Sequence, residues 1–164
     1  MGMALDESQH GHAAPERMDW DAADYLHAAA ARQVTFEVSG LPVSQGSMRA
    51  FVVKGHAVIT SSSKSLGQWR QLVALKAQDV AAREFDGPIA IDLAFRLPKP
   101  KSAPKRKRLF ATKRPDLDKL IRAVLDSLTH VLIKDDAQVI QISAVKDYGP
   151  PGVTVKITQI VDQA

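Results

Sequence analysis

The chain has 164 residues, 45% of them hydrophobic and 24% charged, with a formal net charge of +4 and no cysteine. That balance describes one globular domain with a tail, and it excludes disulfides, thiolate metal sites and cysteine nucleophiles. No apolar run reaches the roughly 20 residues of a membrane helix and no signal peptide opens the chain, so no membrane partner and a cytoplasmic protein are expected.

The charge is unevenly spread. Residues 1–32 hold Asp6, Glu7, Glu16, Asp19, Asp21 and Asp24 against Arg17 and Arg32, which leaves 20 basic and 12 acidic residues, or +8, for the remainder. A domain that basic favours a polyanionic partner through attraction and counterion release. Residues 1–31 read as an acidic N-terminal tail, flexible over its first 17 residues and able to form a short helix over the alanine-rich Asp19–Ala31. Residues 32–164 form the domain.

The domain opens with a strand, where Val34, Phe36 and Val38 alternate with Thr35 and Glu37 until Gly40 and Pro42 end it. Phe51–Val53 and Ala57–Ile59 flank Lys54-Gly55-His56 as a β-hairpin. Ser61 to Ser63 offer caps for a helix running to about Arg83, with Leu66, Trp69, Leu72, Val73, the Lys76 stem and Val80 on one side. Gly87-Pro88 breaks it. Ile89, Ile91, Leu93, Phe95 and Leu97 then alternate strictly with smaller or polar residues, the clearest strand in the chain. Trp69 and Phe95 are core candidates.

Pro98 to Arg114 carries eight basic residues, three prolines and no acid. Proline and mutual repulsion both oppose regular structure, so an extended loop is expected, with Phe110 either wedging into a substrate or anchoring the loop. After it, Leu117, Leu120, Ile121, Val124, Leu125 and Leu128 form one helical stripe. Val139–Val145 and Val153–Ile160 read as a hairpin around Gly149-Pro150-Pro151-Gly152. The order is β-β-β-α-β-α-β-β: an α+β fold, a mixed β-sheet with two main helices. His10 and His12 fall in the tail, His56 in a turn, and His130 just past the second helix, where a capping role suits it better than catalysis.

The carboxylates carry the chemistry. Asp116 follows Pro115 at the start of the second helix, and Asp118, Arg122 and Asp126 follow at fourfold spacing on the face opposite the apolar stripe. Local roles are available to all of them: Asp116 as a cap, Asp118 against the helix dipole, Arg122 bridging both. Asp135-Asp136, between a loop and a strand, suits presentation at a sheet edge beside that helix start, and also suits a plain turn. Crowded carboxylates repel and raise one another's pKa, so such a cluster beside a phosphate-attracting loop points to a bound divalent cation working on nucleic acid. Magnesium takes few protein oxygens and keeps waters, which Asp116, Asp118 and Asp136 could satisfy.

The stretch PDLDKLIRAVLDSL from Pro115, then DDAQV and Lys146, resembles the RusA family of Holliday junction resolvases (crossover junction endodeoxyribonucleases). The likeness is strong over about residues 97–160, looser from Val34, and does not cover residues 1–30. It implies a RusA-like, homodimeric fold and a Mg²⁺-dependent, structure-specific endodeoxyribonuclease that binds four-way DNA junctions and cuts two opposing strands by symmetric paired nicks, in recombination and repair in a bacterial, phage or prophage setting. It further implies Asp116, Asp118 and Asp136 as catalytic metal ligands, with Asp135 as a lesser one. The family has Asn where this chain has Lys119, and a functional Lys where it has Arg122. Arginine keeps the charge but cannot act as a proton donor or base, so the expected role of Arg122 is electrostatic, at the catalytic centre. Lys99, Lys101, Lys105, Arg106, Lys107, Arg108, Lys113, Arg114 and Lys119 are the expected DNA contacts, made to phosphates and not to bases. Two alternatives remain: a non-catalytic junction or DNA-binding module, and a PD-(D/E)XK-type nuclease. The second fits Pro115-Asp116 but finds no Asp/Glu-x-Lys at a suitable place.

Overall fold

The computed structural model describes residues 32–46, 49–53, 56–60, 64–81, 83–104 and 109–161. The acidic tail, the serines expected to cap the first helix, and Lys105 to Arg108 lie outside them. In chain order the elements are β1 (Gln33–Ser39), β2 (Arg49–Val53), β3 (His56–Thr60), α1 (Lys64–Val80), β4 (Ile89–Leu97), α2 (Leu117–Leu128), a single 3₁₀ turn (Asp136–Gln138), β5 (Val139–Tyr148) and β6 (Gly152–Gln159). The fold is mixed α+β, with two helices on a four-stranded sheet ordered β1-β6-β4-β5. β2 and β3 pair separately as an antiparallel hairpin.

β4 lies inside the sheet between β6 and β5, and its alternating apolar residues face the side that the helices cover. It runs antiparallel to β6 and parallel to β5. The register stacks side chains in rows across the inner face: Val34, Ile157, Ile91 and Ile142 in one, Phe36, Val155, Leu93 and Ala144 in the next. The third row is Val38, Val153, Phe95 and then Lys146. A lysine thus ends an otherwise apolar row at the edge strand.

The helices cover this inner face. α1 buries Leu66, Trp69, Val73 and Ala77. Leu72 and Val80, expected on that side from the sequence, are 46% and 41% exposed. The contact follows the i+4 ridge from Trp69 through Val73 to Ala77, and Leu72 and Val80 fall beside it. α2 buries Leu120, Ala123, Val124, Ser127 and Leu128, while Leu117, Ile121 and Leu125 pack at the margin. Buried Ser127 is satisfied by donating to the Ala123 carbonyl at 2.6 Å. Arg70 of α1 reaches Asp126 of α2, donating to its backbone oxygen at 3.1 Å and lying 3.6 Å from its carboxylate. Asp126 is therefore a helix–helix contact.

The expected hairpin between β5 and β6 does not form. The two strands run antiparallel but β4 sits between them, so Gly149-Pro150-Pro151 crosses the end of β4. Crossing two strand spacings takes about 10 Å, within reach of this short link. Gly149 donates to the Leu97 carbonyl at 2.8 Å as it passes, and Gly40 donates to that of Pro151 at 3.0 Å. Gly152 is needed here, since a Cβ would lie 2.5 Å from the Val38 carbonyl oxygen.

Candidate active site

The first group of carboxylates is built where the basic loop enters α2. Asp116 is the N-cap in backbone conformation, yet its side chain makes no capping hydrogen bond. Its carboxylate accepts instead from the Lys119 ammonium at 2.9 Å. That hydrogen bond, then the Lys119 charge, hold the Asp116 carboxyl below its ordinary range, with Arg114 and Lys146 adding to the effect and desolvation opposing it. Asp118 is exposed in the first turn, where the helix dipole favours a negative charge. Among the described residues no hydrogen bond or ion pair commits the Asp118 side chain, nor that of exposed Arg122. The bridge expected from Arg122 is absent among the described residues: Asp116 accepts from Lys119 instead, and Asp118 has no bonded partner.

Two other elements fix this corner. Lys146, the last member of the third inner row, donates to the Pro115 carbonyl at 2.8 Å and to that of Lys113 at 3.0 Å. It ties the end of β5 to the backbone that presents Asp116. From the other side, Gln45 donates its backbone N–H to the Lys119 carbonyl at 2.9 Å, pinning the loop after β1 to the first turn of α2. The Gln45 side-chain oxygen is buried without a partner among the described residues.

The second group stands at the start of β5 and is built differently. Asp135 caps the 3₁₀ turn, accepting from the Ala137 N–H at 2.8 Å. Gln138 completes a capping box and does more. Its side-chain oxygen accepts from the backbone of Lys134 and Asp135 at 2.7 and 3.3 Å, while its nitrogen donates to the Phe85 and Gly87 carbonyls at 3.2 and 2.9 Å. Lys134 pairs with Asp86 at 2.8 Å, which lowers the Asp86 pKa and raises that of Lys134. Asp135 is thus spent on local structure. Asp136 is exposed, and no described residue bonds its carboxylate.

The two groups do not meet within one chain. Val139 pairs with Ile89 at one end of β4 and Lys146 with Phe95 toward the other. At ~3.3 Å per residue the intervening strand spans on the order of 20 Å. Asp116 and Asp118 sit at the Lys146 end, Asp135 and Asp136 at the Val139 end. The sequence placed Asp136 beside the start of α2; the parallel pairing of β5 with β4 carries it to the opposite end. Consistently, among the described residues no three Asp, Glu or His side chains are grouped to hold a metal ion.

The basic groups lie with the first pair. Lys99, Lys101, Lys113 and Arg114 are exposed, with Lys99 donating to the Pro104 carbonyl at 2.9 Å, and Lys119 and Arg122 project from α2 itself. Lys146 is the contribution that residue types alone did not assign. Its signal was a lysine at an inward-facing register position, between outward Val145 and Asp147. It also meets Pro115-Asp116 as a restriction-type lysine would, but Ala144 stands two residues before it, where that site needs an acid.

Residues 40–158 match the family described as endodeoxyribonuclease RusA. The chain is also 33% identical over 138 residues to the uncharacterized protein YqaN of Bacillus subtilis (strain 168), covering 77% of this chain and 96% of that one. The Asp-x-Asp helix start, its basic surround and the Asp-Asp turn before β5 all lie inside the matched span, and the chain belongs to the RusA family of endodeoxyribonucleases, the Holliday junction resolvases.

Proposed function

We propose that this protein is a Mg²⁺-dependent endonuclease that nicks four-way DNA junctions as a homodimer. The observation that carries the reading is the corner at α2: Asp118 uncommitted beside an ionised Asp116, surrounded by Lys113, Arg114, Lys119, Arg122 and Lys146. An acidic pair inside a basic collar suits a phosphodiester backbone drawn onto a cation. Magnesium is commonly held by one or two carboxylates together with substrate phosphate, so Asp116 and Asp118 fit it as far as a single chain goes. A bound ion would supply Lewis-acid stabilisation of the phosphate and activation of the attacking water. The chain's own groups do the rest. Lys99, Lys101, Lys113 and Arg114 fix the backbone of the DNA, and Arg122 offers its guanidinium to the phosphate being cut. Arginine stays protonated, so it provides charge and orientation and moves no proton.

The separation of the two ends supports a place for Asp136 in the site of a second copy. β5 is an edge strand, and Ile140, Ile142 and Val145 on it are 56%, 42% and 60% exposed. In this reading two copies pair antiparallel along β5 about a twofold axis, which would carry the Asp136 of one toward the Asp116 and Asp118 of the other. Twofold symmetry also provides the paired, symmetric cuts that separating a junction demands.

Labelled four-way junction incubated with Mg²⁺ should be nicked symmetrically, and Asp118→Asn should bind it without cutting. Asp136→Asn alone should also be inactive, yet a mixture of the two variants should recover nicking, because each mixed dimer holds one site with both residues intact. No recovery, with both single variants dead, would place the site within one chain. One observation favours a second reading: the Lys119 ammonium already occupies a cation's place at Asp116. If the wild-type chain binds junctions but cuts none under any divalent metal, a non-catalytic binding module is the right description.

A further inference from the structure

Along the basic loop that leads to α2 lies a cleft of about 250 Å³, lined by Phe110, Tyr148, Pro100, Pro104, Leu109 and Lys113 among others. From Tyr148 and Lys113 a second cleft of about 220 Å³ continues past Arg114 to Pro115, the residue before Asp116. We propose that the cleft between Phe110 and Tyr148 takes one unstacked nucleobase of the strand being cut. This rests on the nuclease reading and adds a base-holding site to it.

Three observations lead there. Phe110 is 71% exposed although its neighbour Ala111 is buried and Leu109 half-buried. The inward residues on either side set the register of the loop, and the bond from the Thr112 N–H to the Phe110 carbonyl, at 2.9 Å, tightens it. The ring is therefore held outward by the chain's own packing, at a position where burial would ordinarily be favoured. Second, the cleft is lined by two aromatic residues and two prolines beside polar Ser102 and Thr112, and the aromatic and proline surfaces suit the face of a base of any identity. Third, the surround is cationic: no acidic residue lines either cleft, while Lys113 and Arg114 do. Aromatic faces interleaved with positive charge fit a nucleotide, whose base stacks while its phosphate pairs. A strand whose phosphate reaches Asp116 and Asp118 passes this cleft next. Junctions offer such a base cheaply, since stacking is already broken at the branch point.

The test uses the full-length Asp118→Asn protein, so that the DNA stays whole, bound to a four-way junction with 5-iodouracil at successive positions flanking the branch point. Irradiation should cross-link one position to Phe110 or Tyr148, identified by peptide mapping. In the otherwise wild-type chain, Phe110→Ala should slow cutting roughly ten- to a hundredfold, the loss of one stacked base, with junction affinity within about twofold. Phe110→Trp should restore it. Cross-links elsewhere, with Phe110→Ala cutting at the wild-type rate, would remove the base site and leave the nuclease standing. Cross-linking to Phe110 in a protein that never cuts would keep the site and remove the nuclease. If Phe110→Ala instead dissociates the dimer in sedimentation, the cleft holds a second copy of this chain and the proposal is wrong.

Discussion

The two ends of β5 each carry a pair of aspartates next to a lysine, and they use them in opposite ways. At the Val139 end nearly every polar group is spent on local structure: Asp135 caps, Gln138 ties four backbone groups together, and Lys134 pairs with Asp86. At the Lys146 end the backbone is held from outside, by Lys146 and Gln45, and the cap position is left unused. Structure that is supplied by neighbours leaves the carboxylates available for chemistry. Structure that is supplied by the acidic residue itself does not. By that test Asp118 and Asp136 are available, Asp116 is available once Lys119 is displaced, and Asp135 and Asp126 are engaged.

The sharpest way to break this contrast is to remove one side chain from each end. Gln138→Ala gives up four hydrogen bonds that join the β5 start to the loop before β4. At ~0.5–1.5 kcal/mol apiece in a half-exposed setting, the expected cost is about 2–4 kcal/mol, or a fall in Tm of roughly 5–10 °C. Asp118→Asn should lower Tm by only about 1–3 °C, the loss of one charge at a helix start, while abolishing cleavage. Equal destabilisation by both in thermal denaturation would show that the α2 end is as much a structural knot as the other.

Lys146 gives a smaller effect with a mixed signature. Its two bonds to the Pro115 and Lys113 carbonyls are charge-assisted but partly wet, so Lys146→Met should cost about 1–2 kcal/mol in urea unfolding. Because those carbonyls shape the turn that presents Asp116, cutting should fall further than stability does, and Lys146→Arg should recover most of the stability. Loss of stability with unchanged cutting would make Lys146 a packing residue only.

Much of this was legible in the residues. The strict alternation from Ile89 to Leu97 reports a strand buried by neighbours, and the stripe from Leu117 to Leu128 a helix with one covered face, because both patterns are local. What the sequence misjudged was non-local. Nothing in Val139–Val145 or Val153–Ile160 reveals that β4 will insert between them, and a tight-looking Gly-Pro-Pro-Gly link is equally able to cross a strand end. That insertion sends Asp136 away from α2. Likewise the partner of Asp116 was decided by reach: Lys119 sits one turn on and donates to it, and among the described residues Arg122 makes no bond to either aspartate. The inward lysine at position 146 was visible as an oddity, but its partners are carbonyls, which leave no mark in a sequence.

The subtlest difference between the ends concerns the lysines themselves. Lys119 lies 2.9 Å from Asp116 and Lys134 2.8 Å from Asp86, but only the first pair stands at the site proposed for a divalent cation. Asp116 is held below its ordinary pKa, so the pair stabilises the fold above about pH 4, and that contribution is lost as the pH falls through the lowered folded value. Lys134 is raised above 10.5, so its contribution is complete below that pH and is lost as the pH rises through the higher folded value. Lys119→Asn, which restores the residue expected of the family, should move the Asp116 titration upward toward the ordinary carboxylate range in carboxyl NMR. It should also lower, by a few fold, the Mg²⁺ concentration needed for half-maximal cutting, since the ion no longer displaces an ammonium. Lys134→Asn should move the Asp86 titration the same way and leave the Mg²⁺ requirement untouched. A Mg²⁺ requirement that does not change in Lys119→Asn would mean that the ammonium and the cation never compete, and that Asp118 holds the ion without Asp116.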